Sequence, residues 1–156
     1  MYRNEDFLRI IGHISFFFAT LDFFVSEVMI LLTGRVPFCD TATLGQKFDL
    51  LFKLKAGDVT NAGILLDLQV ELPRAQAVAK ERNRYIHDQW IFDPQLVAAG
   101  RIRRLKLVYG PPPQLVKEDF AMSDLEAFLR EIGTLQQVFG KALKVLNPTG
   151  VTLNGS

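Results

Sequence analysis

Residues 81–88 read Glu-Arg-Asn-Arg-Tyr-Ile-His-Asp, the densest set of reactive side chains in the chain. An imidazole with a pKa of about 6.5 takes or gives a proton at neutral pH. A guanidinium grips a pair of anionic oxygens with parallel N–H donors. On a helix, Asn83 and His87 share a face. Arg82 and His87 stand about 140° apart around the axis and about 7.5 Å along it, so they flank a groove without touching. Arg84 lies nearer the histidine's side. These residue types suit acid–base work beside a bound anion. A plainer reading fits the same residues: a histidine near a helix C-terminus is favoured by the macrodipole, and Arg and Glu on a solvated helix face are commonplace. Trp90 then serves as a core anchor.

The rest of the composition narrows the chemistry. The chain has 156 residues, 49% apolar and 22% charged, enough for one domain with a core. Eighteen basic residues against 17 acidic ones give a net charge of +1, so no global field draws in a polyanion. Any such attraction is local. Cys39 is the lone cysteine, which rules out an intrachain disulfide and suits a reducing compartment. With His13 and His87 the only histidines, no four-ligand Cys/His zinc site can be assembled, and no metal or cofactor is expected. His13 reads as a buried or interface histidine. No Gly-rich phosphate loop and no Ser-His-Asp set is found. The first ten residues mix acids and bases without the cationic start and cleavage site of a signal peptide, which predicts a cytoplasmic protein.

Several helices must position the 81–88 segment. Residues 10–32 are long and apolar enough to span a bilayer. Asp22 and Glu27 fall inside them, each costing roughly 2.5–3.5 kcal/mol on insertion scales. A helix of a water-soluble core, without stable membrane insertion, fits better. On it Ser15, Asp22, Ser26 and Thr33 form one polar stripe and His13, Thr20 and Glu27 a second. Phe16, Phe17, Phe23, Phe24, Val28 and Leu31 fill the flanks. A helix apolar on two sides needs two things to pack against: the core, and either a second copy of the chain or a thick single-chain bundle. The 13 phenylalanines, clustered early, favour the second copy.

Gly34 and Pro37 end this helix. Residues 41–56 form a second, with Thr43 and Gln46 as its capping box and Gly57 closing it. Helical spacing resumes over 60–88, where Pro73 either kinks one long helix or opens a new one. After Trp90 the pattern becomes extended: a short strand at 90–92, a turn region through Asp93-Pro94 and Gly100, then strand formers at 101–109. A third strand is placed near 114–117. Ser123 with Glu126 forms a capping box for a last helix ending at Asn147-Pro148. The acids Glu118, Asp119, Asp124 and Glu126 then read as capping and dipole residues. The fold class is mostly α: an antiparallel helical bundle with a small β-hairpin insertion before the last helix. It forms one domain over 1–148, with a loose tail at 149–156.

The run RNRYIH within ERNRYIHDQW resembles the Arg-x(4–6)-His motif of the HEPN superfamily, in the form with Asn after the Arg. The surroundings agree: Glu81 before the Arg, Ile86 before the His, and Trp90 three residues after it. FATLDFFVSEVM resembles the long opening helix of that superfamily, where an acid often stands at the place of Asp22. The resemblance covers the helices up to Trp90 and the last helix; residues 93–120 look like an insertion. It implies a metal-independent endoribonuclease of toxin or defence type that uses the RNA 2′-hydroxyl as nucleophile. His87 would transfer the proton, Arg82 contact the phosphate, and Asn83 orient the groups around them. It also implies a homodimer through the first helix and the motif helix, with RNA and a cognate antitoxin or regulator as partners. Asp88, directly after His87, is placed either to raise the histidine pKa or to occupy Arg82 in a salt bridge. The alternative is a catalytically silent HEPN-like module that binds a nucleotide, RNA or protein.

Arg84, Arg104 and Lys106 are further candidate binding residues. The strip Arg101, Arg103, Arg104, Lys106 could track phosphates; strand alternation puts Arg104 and Lys106 on one face. The plainer reading is a charged, edge-protecting strand.

Overall fold

A computed structural model describes residues 1–35 and 42–150, apart from the side chains of Asn83, Ile86 and His87. Pro37 and Cys39, and most of the expected tail, lie outside the described residues. In chain order the elements are α1 (Asn4–Thr33), α2 (Leu44–Lys53), a single 3₁₀ turn (Ala56–Asp58), α3 (Ala62–His87), β1 (Gln89–Ile91), α4 (Pro94–Ala98), β2 (Arg101–Val108), β3 (Gln114–Ala121) and α5 (Met122–Leu146). The protein is mostly helical with a three-stranded antiparallel sheet in the order β1-β2-β3. The expected hairpin is thus β2–β3, extended by β1 on the far edge of β2.

The long apolar helix is the spine of the core. Phe7, Ile10, Ile14, Phe18, Leu21, Val25, Val28 and Leu32 recur at three- and four-residue spacing and are all buried. By length and composition α1 could also cross a membrane. Here its buried stripe packs on α5, which lies alongside it in the same direction. Phe18 meets Phe128, the Phe17 carbonyl accepts from Gln136 Nε2 at 2.8 Å, and the Phe24 ring lies over Gly140. α3 runs against both, with Arg82 beside Phe18 at one end and Thr60, just before α3, bonded to the Leu32 carbonyl at the other.

Hydroxyl side chains inside so apolar a helix are satisfied locally. Ser15, Thr20, Ser26 and Thr33 each donate to the carbonyl four residues back. The two-sided character of α1 is real but uneven. Phe17 and Phe24 pack on the core, whereas Phe16 and Phe23 remain 67% and 44% exposed. Gly34 ends the helix at φ 68°, the left-handed conformation that favours glycine.

Thr43 caps α2 as expected: its hydroxyl accepts from the Gln46 amide while the Gln46 side chain accepts from the Thr43 amide. The open question at Pro73 resolves into one continuous helix, with the proline ring on its solvent side. Next to it, Gln69 donates to the Leu51 and Leu54 carbonyls and so closes the C-terminus of α2.

The start of α5 corrects the expected cap. Ala121 holds the N-cap position, and Asp124, not Glu126, accepts from its amide at 2.8 Å. Ser123 therefore sits inside the first turn. The cause is the sheet: Ala121 is still paired with Arg101, so β3 passes into the helix without a linker.

A candidate phosphodiester site at the end of α3

The last two turns of α3 present two faces. Counting 100° per residue, Glu81, Arg84, Tyr85 and Asp88 fall toward one side, while Arg82, Asn83 and position 87 fall toward the other. The first side is closed by the sheet. Tyr85 stacks on Phe128 at 4.5 Å and also meets Trp90 and Phe120. The Trp90 indole donates to the Tyr85 carbonyl at 3.1 Å, taking up a helix-terminal acceptor. Trp90 is thus an anchor, as the plainer reading held. Burial, aided by the Glu81 carboxylate and opposed by Arg104, pushes the Tyr85 hydroxyl well above its ordinary pKa.

The acids beside the motif are spoken for on this sheet side. Glu81 pairs with Arg84 at 3.2 Å and lies 3.8 Å from Arg104. The Asp88 carboxylate lies 3.2 Å from Arg104 Nε, close enough to pair electrostatically but without hydrogen-bond geometry. Of the two fates open to Asp88, occupation of Arg82 is therefore not what the fold adopts.

Arg82 lies on the other side. Its guanidinium stands 5.8 Å above the Phe18 ring, and no acid pairs with it among the described residues. Its Nε is buried and without a hydrogen-bond partner there. It borders a cleft of about 190 Å³ with Thr43, Leu44, Gly45, Gln76, Ala79 and Lys80, where the N-terminus of α2 faces α3. The α3 backbone carries Asn83 and His87 on its last turns, but their side chains lie outside the described residues. The structure places Arg82 and leaves the Asn83 and His87 groups undescribed.

The other binding candidates fare differently. Arg84 is part-exposed and tied to Glu81. Lys106 is half-buried and, among the described residues, has no ion-pair partner. Arg104 does not belong to a surface strip: it is 1% exposed and ringed by Glu81, Asp88 and Glu118. Arg103 is also claimed, by Asp119 at 2.6 and 3.0 Å across the β2–β3 pair. That bond holds the Asp119 carboxyl below its ordinary pKa. The strip therefore splits, because neighbouring strands answer its charges.

Sequence reasoning missed two buried cations. Lys47 of α2 donates to Asp22 at 2.7 Å and to Ser26 at 2.8 Å. An acid in an apolar helix was the available signal for such a partner. The second, Arg104, had no comparable local signal.

A larger cleft, about 790 Å³, lies elsewhere. Tyr2, Arg9, His13, Gly100, Met122 and Glu126 are among its lining residues, and none of residues 81–88 is. His13 is exposed there and not buried. Gly100, at φ 74°, lets the Tyr2 ring approach to where a Cβ would stand 3.1 Å away. Among the described residues, no group of three His, Cys, Asp or Glu is arranged to hold a metal ion. Compared with known proteins, the sequence matches no family model, and neither a curated protein nor a solved structure matches it significantly.

Proposed function

We propose that the chain is a HEPN-like endoribonuclease that cleaves RNA without a metal, as a homodimer in the cytoplasm. The observation that carries the reading is the state of Arg82. Acids flank the motif in sequence, yet both pair on the sheet side, and Arg82 stays free of them among the described residues. A guanidinium in that state suits a phosphate. The long apolar α1 and the motif at the end of a later helix agree with the family pattern.

In this reading the RNA 2′-hydroxyl attacks the adjacent phosphorus and the 5′-oxygen leaves. His87 takes the hydroxyl proton or returns one to the leaving oxygen, and Asn83 orients the groups. Arg82 binds the phosphate oxygens as charge builds on them. Bond making and breaking balance within the strand, giving a 2′,3′-cyclic phosphate and a 5′-hydroxyl. Two chains joined through α1 and α3 supply two such sets to one cleft. Lys106 is a secondary contact along the strand, whereas Arg84 is held by Glu81 on the sheet side, and a cognate antitoxin or regulator would cover the site when activity is not wanted.

The separate 790 Å³ cleft favours a second reading, a catalytically silent HEPN-like module that binds its ligand away from the motif. RNA and DNA of one sequence, incubated with the pure protein in EDTA, separate the two. The nuclease reading expects cut RNA and intact DNA. Intact RNA at high protein concentration favours the silent module, and cut DNA removes the 2′-hydroxyl from the mechanism.

A further inference from the structure

Arg104 is an expensive residue for the middle of a sheet. A buried charge is destabilising unless its partners are well placed, and apolar side chains of similar volume are often as stable or more so. Its guanidinium lies 4.5 Å from the Phe120 ring and 5.7 Å from that of Tyr85, in good cation–π range. Its charge is answered from three segments: Glu118 across the β2–β3 pair, Asp88 at the end of α3, and Glu81 two turns earlier. Glu81 and Asp88 are seven residues apart and so fall within about 20° of each other on the helix, whereas Arg82 is about 100° away from Glu81.

We infer that Arg104 is a positioning residue for the motif: it draws the Glu81 and Asp88 carboxylates to the sheet side of α3 and offsets their field, keeping the Arg82 side open to a phosphate. The inference rests on the reading of Arg82 as the phosphate contact. The charge count supports it. Arg84 and Arg104 together answer Glu81, Asp88 and Glu118. Without Arg104, one guanidinium is left against three carboxylates on and beside the turns that carry Arg82. That excess repels a phosphate, most at low salt. An apolar residue at position 104 fills the same volume but cannot do this. A cation there also offsets the negative pole of α3. The sheet formed by β1, β2 and β3 is then part of the site and not an appendage to it.

The test uses a labelled 2′-O-methyl RNA oligonucleotide, which lacks the nucleophile and stays intact, titrated at several salt concentrations. Folding of each variant is checked by circular dichroism. Arg82→Ala sets the scale: the salt slope falls by about 0.7, the value for one phosphate contact on a single strand. Arg104→Met is expected to bind about tenfold more weakly, the cost of one charge-assisted contact, with the same fall in slope. Adding Glu81→Gln and Asp88→Asn to Arg104→Met restores most of the affinity and slope. Arg104→Lys retains them in large part. A folded Arg104→Met protein with wild-type affinity and slope overturns the inference. So does a loss that neutralising the acids fails to restore, since that marks a purely structural brace. If Arg104→Met does not fold, the triple variant decides: near wild-type binding supports the role, and binding at the Arg82→Ala level overturns it. A flat Arg82→Ala control, equal to wild type, instead overturns the reading of Arg82 on which the inference rests.

Discussion

Whether a cation is available to a substrate depends on where the acids of its own chain have gone. Arg82 and Arg104 show the two outcomes within one cluster: the first without an acid among the described residues, the second enclosed by three. Lys47 makes a third case. It is 3% exposed, while its partner Asp22 is 46% exposed. The pair is therefore asymmetric. Asp22→Ala leaves a buried ammonium answered chiefly by the Ser26 hydroxyl and should cost about 3 kcal/mol, the lower end for breaking a buried ion pair. Lys47→Met leaves a carboxylate that water can reach, so it costs less. Urea denaturation of both variants checks the order. Equal losses, or a greater loss for Lys47→Met, contradict this account of the pair.

At the scale of elements, the end of α3 is held by contacts from outside the helix. Trp90 provides a donor to the Tyr85 carbonyl, and its ring packs on Tyr85 and Phe120. Trp90→Phe keeps an aromatic ring but orphans that acceptor. It should lower stability by about 1–2 kcal/mol and speed amide exchange in the last turn of α3 more than in α5. Uniform exchange changes across both helices would contradict a local cap. The helices themselves were readable from spacing and punctuation: the α1 stripe, the Thr43–Gln46 cap and the stop at Gly34 are all local signals. What the spacing could not supply was the meeting of distant segments. Arg104 looks like a solvated strand residue until β1 and β3 bring Asp88 and Glu118 beside it. Likewise Ser123 looks like a cap until the pairing of Ala121 with Arg101 shifts the helix start. The motif was found by its residue types, and the state of Arg82 only by where its neighbours went.

At the scale of the whole molecule, one face of α1 remains apolar and open. Leu8, Phe16 and Phe23 are exposed on it, with Gly12 and Ala19 between them. Large side chains beside small ones on one helix face suit close approach of a second helix, and exposed aromatic clusters mark contact sites. The homodimer proposed above would bury this face and set two motif helices side by side. Sedimentation velocity of Phe16→Glu/Phe23→Glu should show a monomer with unchanged helical content, against a dimer for the wild type. A dimer in both would move the interface elsewhere.

The account as a whole turns on Arg82 and His87 acting together on a phosphodiester, and the end groups left on RNA test that most directly. In excess EDTA the wild-type protein is predicted to leave 2′,3′-cyclic phosphate and 5′-hydroxyl ends, while His87→Ala leaves the RNA whole. Equal cleavage by the two proteins, or 3′-hydroxyl and 5′-phosphate ends, would contradict it.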